Sequence, residues 1–242
     1  STPEGAGDLF GDISDLGGFG EIDAPTETLP FAIGETISAT LAGPAAYGIS
    51  VTADSTYVLA AVSEADSVLT VFDAAGEQIA QVDDSFRAEI ELLVWTPEVG
   101  GEYAVTVRNF GGDSAGAHAF TVQEVTPGIG EAVTFEVEEG TLPVIHAVAA
   151  DDLDIVLTID AADGADFASI EVDASISRPE IYIWRDAPAG SYTAAVTGYS
   201  EDVSDYTLVV ALLDPQFALY GDADAGGGDC GGFDAPVDAA DG

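Results

Sequence analysis

Acidic residues set two or three apart are the first groups in this chain that could do chemistry. DAADGAD places Asp160, Asp163 and Asp166 on one expected hairpin, Asp83 and Asp84 follow the matching hairpin earlier in the chain, and DDLD adds Asp151, Asp152 and Asp154. Carboxylates gathered on a turn suit Ca²⁺, a hard cation that takes six to eight oxygens in a flexible shell. Asp and Gly also make turns with no ion, as DAAG does at Asp73 to Gly76, so both readings stand.

Other chemistry finds little footing. DADAGGGD from Asp222 opens like an EF-hand loop, but Gly226 takes a ligand place and Phe233 stands where the bidentate Glu belongs, which excludes it. There is no G-x-S-x-G elbow, and neither His118 nor His146 sits in a local motif with a nucleophile or metal ligand. Cys230 is the single cysteine, in a Gly-rich stretch that cannot hold a thiolate in place, and it excludes an intramolecular disulfide. With 45 acidic residues, close carboxylate pairs arise by chance and do not argue for glycosidase chemistry. The expectation is a protein that is not an enzyme.

The formal net charge of −41 is offset by four cations, Arg87, Arg108, Arg178 and Arg185, with no Lys. Such a surface repels nucleic acid and anionic lipid. It also repels itself, a penalty that molar salt removes by shortening the Debye length to about 3 Å. A halophilic habitat, a surface neutralised by divalent cations, and an acidic secreted protein all fit. No apolar run reaches the ~18 residues a membrane span needs. The chain opens at Ser1 without Met, as a trimmed chain does, and export is the expectation.

The elements that would position these groups are strands. TISATL, YVLAAV, SVLTVF, AEIELLVW and EYAVTVRN, then AVTFEV, LDIVLTI, EIYIW, SYTAAVTG and DYTLVVAL, are short, rich in Val, Ile, Thr and Tyr, and separated by Gly, Asp or Pro clusters. They fall into two copies. Trp184 minus Trp95 and Tyr192 minus Tyr103 both give 89, and the same offset carries Asp84 onto Asp173. GETISATLA from Gly34 is set opposite GEAVTFEVE from Gly130, and AFTVQEV opposite DYTLVVAL. In the shared W-to-Y frame, Gly101 and Gly190 allow a turn into a strand. Tyr103 and Tyr192 then lay a ring in the core while the hydroxyl caps nearby backbone, the logic of a tyrosine corner. The frame is a folding device.

The fold class expected is therefore all-β, two tandem antiparallel jelly-roll-like β-sandwiches: a Gly/Asp-rich arm over residues 1–30, sandwich one over 31–126, sandwich two over 127–214 and a Gly/Asp-rich tail over 215–242. In the arm, Leu9, Phe10, Ile13, Leu16, Phe19 and Ile22 recur three or four apart, roughly as on one side of a helix, while Gly11, Gly17, Gly18 and Gly20 weaken any isolated helix. The arm is either a flexible leader or a sticky segment that orders on a partner.

SVLTVFDAAGEQIAQVDD, then a strand, then TPEVGGEYAVTV and a closing AFTVQEV resemble the bacterial pre-peptidase C-terminal (PPC) domain. APAGSYTAAV and DYTLVV keep the later part of that pattern in the second copy, so the resemblance spans roughly residues 31–213. It implies a jelly-roll-like sandwich from an exported protein and a non-catalytic accessory role in substrate or surface binding, in some members with calcium. Two functions follow as expectations: an extracellular or cell-surface structural subunit that self-assembles into a filament or layer through its arm, or a secreted binding module for a polysaccharide or surface protein.

Overall fold

The computed structural model describes residues 23–41, 43–83, 89–110, 116–149, 153–162, 164, 167–173, 179–199 and 205–220. Sandwich one is built from strands β1 (Leu29–Pro30), β2 (Thr36–Leu41), β3 (Ala45–Val51), β4 (Thr56–Ser63), β5 (Ser67–Phe72), β6 (Gln78–Val82), β7 (Ile90–Trp95), β8 (Gly101–Asn109) and β9 (Gly116–Val125). Sandwich two is built from β10 (Gly128–Ile129), β11 (Val133–Val137), β12 (Leu142–Ala149), β13 (Ile155–Ala161), β14 (Ile170–Val172), β15 (Glu180–Ile183), β16 (Gly190–Gly198) and β17 (Tyr206–Leu213), followed by a 3-10 helix at Pro215–Tyr220.

The two halves share one topology. Sheets β3-β8-β5-β6 and β2-β9-β4-β7 of the first correspond to β11-β16-β13-β14 and β10-β17-β12-β15 of the second, and the first half adds β1 beside β3. This corrects one pairing made from sequence. GETISATLA forms β2, which pairs with β9, whereas AVTFEV forms β11, which pairs with β16 and is the counterpart of β3. Alternation with a period of two looks the same on either sheet of a sandwich, so pattern alone could not tell the strands apart. The β1–β3 pair is also parallel, an exception to the antiparallel expectation.

Alternating side chains fill each sandwich. On β3, Ala45, Tyr47, Ile49 and Val51 point inward with the residues between them more open, and they meet Leu59, Leu69, Val71, Val105 and Phe120 in the first core. Ile145, Leu157, Ile159, Trp184, Ala194 and Leu208 do the same in the second. β4 breaks the alternation because all eight of its residues are buried. Its second face, Val58, Ala60 and Val62, packs with Ile90 and Ala119 against Leu142, Val144, Val209, Ala211 and Leu213. The sheet holding β4 therefore lies against the sheet holding β12, and the two sandwiches form a four-layer stack with an apolar seam at its centre. Each seam Val or Leu removed from water contributes on the order of 1.5–3 kcal/mol. Gln123 Nε2 donates to the Leu212 carbonyl across the seam at 2.8 Å, and Ser38 bonds Gln216.

Phe31, 8% exposed, inserts beside Tyr47 and Phe120 with ring centroids 5.7 and 4.9 Å away, and Leu29–Pro30 just before it pair with β3. At the other end Phe217, fully buried, plugs the seam, so residues 215–220 belong to the folded body.

The repeated aromatic frame is architectural. Trp95 meets Tyr103 edge to face at 4.9 Å and 75°, and Trp184 meets Tyr192 at 4.8 Å and 71°. Each tyrosine hydroxyl donates to the carbonyl four residues back, Tyr103 to Val99 at 2.6 Å and Tyr192 to Pro188 at 3.0 Å. The glycines differ. Gly101 has φ of 153°, a region open to Gly, whereas Gly190 is not left-handed and instead lies under its tyrosine, where a Cβ would stand 3.3 Å from the hydroxyl.

Candidate functional site

The one group of three carboxylates that converges among the described residues is Asp66, Asp83 and Glu91, with one oxygen from each within 4.8 Å of the others. Topology brings them together: Asp66 precedes β5, Asp83 follows β6 and Glu91 lies on β7 with its side chain on the inward side shared by Leu93 and Trp95. Glu91 is 1% exposed. Asp66 Oδ1 is enclosed with no hydrogen-bond partner, and desolvation, with the Glu89 charge adding, raises the Asp66 pKa. Arg108 stands near. Burial lowers its pKa while the Asp83 charge opposes that shift.

Such oxygens can share a Ca²⁺ at 2.3–2.6 Å each; without a cation their mutual repulsion favours keeping a proton on one of them. Of the described aspartates nominated from sequence, Asp83 is the one that takes part. Asp160 is exposed on β13 opposite Thr193, and Asp84, Asp163 and Asp166 lie outside the described residues. Asp66 and Glu91 were missed, although a signal existed. The offset of 89 that relates the tryptophans also carries Glu91 onto Glu180, and both are 1% exposed.

The corner is in fact built twice. Asp154 precedes β13 as Asp66 precedes β5, and Asp173, matched to Asp84 by the constant offset, instead follows β14 as Asp83 follows β6. The Asp66 carbonyl accepts from Phe110 N at 2.9 Å and the Asp154 carbonyl from Tyr199 N at 3.1 Å. Asp154 Oδ1, like Asp66 Oδ1, is enclosed without a hydrogen-bond partner. Asp173 is exposed, and the second trio is not gathered as the first is. Phe110 and Tyr199, again 89 apart, are 56% and 68% exposed.

The histidines hold structure. His118, 3% exposed, accepts from the Tyr47 hydroxyl at Nε2 (2.6 Å) and donates from Nδ1 to the Ala39 carbonyl (3.0 Å), which uses both nitrogens of a neutral ring. Burial pushes Tyr47 up to about 12 and lowers His118 against the bond to Ala39. His146 shares a face of β12 with the seam residues Leu142 and Val144, in register with Ile181 and Val209. Its Nδ1 is enclosed without a hydrogen-bond partner, and desolvation lowers the ring's pKa to about 4. A cleft between Ser63, Arg108, Asn109 and His118 encloses about 20 Å³, room for about one water.

The six arm residues Leu9, Phe10, Ile13, Leu16, Phe19 and Ile22, together with Cys230, also lie outside the described residues. No described helix is long and apolar enough to cross a membrane.

No family model matches the chain, and no curated protein matches its sequence. Solved structures similar to it include the pre-peptidase C-terminal domain of a Bacillus anthracis collagenase, at 15% identity and TM-score 0.34 over 42% of this chain and all of that one. A secreted protein from Eubacterium rectale matches at 8% identity and TM-score 0.27, over 74% of each chain. A tandem pair of CBM22 modules from a Paenibacillus barcinonensis protein matches at 11% identity and TM-score 0.24, over 74% of this chain and 92% of that one. The chain is an all-β protein with a PPC-like domain among its structural neighbours.

Proposed function

We propose that this protein is a non-enzymatic, extracellular or cell-surface structural subunit that assembles into filaments or layers, with its N-terminal arm as the joining element. The observation that carries the reading is β1. The stretch entering sandwich one adds itself to the edge of β3, with Leu29 opposite Tyr47, and drives Phe31 into the core behind it. A segment that binds by strand addition within a chain can do so between chains, and a head-to-tail contact of that kind does not close. The two sandwiches, joined along the seam, supply a stiff block, and the acidic surface keeps finished polymers apart until cations let subunits approach. Electron microscopy and sedimentation of the full chain beside a Phe10→Asp, Phe19→Asp double variant test the reading. Polymers are expected only of the unaltered chain, and equal polymers from both would defeat it.

A second reading, a binding module for a polysaccharide or surface protein, draws on Phe110 and Tyr199, exposed aromatics at one position of both repeats. In that reading Tyr199→Ala abolishes glycan retention and leaves assembly unchanged. In either reading Asp66, Asp83 and Glu91 would hold a structural Ca²⁺.

A further inference from the structure

The sheet edge filled by β1 has a counterpart that stands without it. Tyr47 on β3 lies opposite Val105, and Val133 on β11 lies opposite Ala194, 89 further along, so β11 is the equivalent edge of sandwich two. It ends its sheet with no fifth strand beside it among the described residues, and a full core lies behind it. β1 is therefore an addition to the fold and not a part needed to close it.

The pocket that the following residue enters holds its own shape. Phe31 sits against Tyr47 and Phe120, whose rings stack on each other 4.7 Å apart at 9°. The Tyr47 hydroxyl donates to His118, whose other nitrogen donates to the Ala39 carbonyl. Strands β3, β9 and β2 are thus tied together around the pocket by bonds in which Phe31 takes no part. Its own ties are few. Leu29 and Pro30 pair in parallel with Tyr47 and Gly48, the Phe31 N–H donates to the Gly48 carbonyl at 3.0 Å, and residues 26–30 are all exposed. The chain then turns. The Glu35 N–H donates to the Ala32 carbonyl at 3.1 Å, and Gly34 has φ of 89° with nothing within 4 Å of where a Cβ would stand. Glycine is as much at home extended as left-handed, so this open turn can straighten and carry residues 23–31 off their own sandwich while β2 stays paired with β9.

We infer that residues 29–31 are an exchangeable strand, which leaves its own sandwich one and fills the same edge and pocket in a second copy of this chain, with Phe31 between that copy's Tyr47 and Phe120. Every contact given up in one copy is remade in the next. The exchange therefore costs chiefly the turn and the joining of two bodies, which is why swapping an identical element is a low-cost route to oligomers. The inference rests on the assembly reading for the open, non-closing order of the copies; it adds that the acceptor is sandwich one and that these three residues make the joint.

The close approach of Thr28 to Gly48 supplies the test. Thr28 Cβ lies 3.5 Å from where a Cβ on Gly48 would stand, a separation that a disulfide spans. A full-length Thr28→Cys, Gly48→Cys, Cys230→Ser chain can therefore be locked wherever the strand sits. Reduced ¹⁵N-labelled and unlabelled chains, concentrated together in molar salt and then oxidised, should carry heavy–light disulfides between positions 28 and 48 in the species larger than a monomer. Chains oxidised at high dilution before mixing should hold the bond within one chain and lose assembly. Only within-chain disulfides after the concentrated incubation, or none, would overturn the exchange, as would undiminished assembly of the pre-locked chain; polymers formed in that way leave the assembly reading standing without this joint. Heavy–light disulfides found in closed dimers alone keep the exchange and remove the filament. A second pair of variants needs no cysteine. Phe31→Asp cannot donate and Gly48→Thr cannot accept, so neither should assemble alone, and their mixture should sediment as a one-to-one complex; failure of the two to pair also overturns the inference.

Discussion

Lowering the pH from 7 to 4 should cost this protein the burial of His146. The ring sits on the seam face of β12 with Nδ1 enclosed and unbonded, and its folded-state pKa of about 4 lies below the ordinary 6.5. A lowered folded pKa means that between pH 6.5 and 4 the unfolded chain takes a proton the folded chain refuses. The contribution is therefore fully present above 6.5, falls as the solution is acidified, and levels off below about 4. At roughly 1.4 kcal/mol per pH unit the loss is about 3 kcal/mol. The measurement is urea unfolding at pH 4 to 8 in molar salt, which screens the carboxylates, for the natural chain and for His146→Leu. The variant should hold its stability better on acidification, with the difference between the two growing by about 3 kcal/mol from pH 7 to 4. His118, also lowered by burial, contributes equally to both chains and cancels. A stability difference that does not change with pH would refute the reasoning.

The two tryptophans of the frame should respond unequally. Trp184, 7% exposed, should cost about 3–5 kcal/mol when changed to Ala, and Trp95, only partly buried, distinctly less, as read by chemical denaturation. Tyr103→Phe and Tyr192→Phe each remove one hydroxyl bond to a carbonyl and should each cost about 1 kcal/mol. Calcium at fixed ionic strength should raise the melting temperature of the natural chain and not that of Asp66→Asn, whereas equal midpoints with calcium and with chelator would remove the ion from Asp66, Asp83 and Glu91. Gly48→Thr should push Thr28 aside and weaken the β1 crossing, seen as faster amide exchange at Phe31, whose N–H donates to the Gly48 carbonyl at 3.0 Å.

Strand content and duplication were legible because hydrophobic alternation and a constant offset are local, one-dimensional signals. The Trp–Tyr contacts and the hydroxyl bonds follow from spacing within one short frame, so they too could be anticipated. Sheet membership could not, and β2 was matched to β11 for that reason. The eight buried residues of β4 carried a clue, since YVLAAV is apolar at every position, as a strand covered on both faces must be; what covers the second face belongs to the other repeat, far along the chain. The carboxylate trio joins three strand ends and was seen only in part, because the closely spaced acids of DAADGAD are far more conspicuous in the sequence than one Glu inside EIELLVW.

The seam is formed by β4, β7 and β9 on one side and by β12, β15 and β17 on the other, which are the same three strands of the repeat. Each half thus offers its twin the identical patch, as the two members of an isologous homodimer do. A one-repeat forerunner would have had to find a copy of itself in solution to hide that patch. Fusion into a single chain makes the encounter intramolecular, so that pairing no longer depends on how concentrated the protein is.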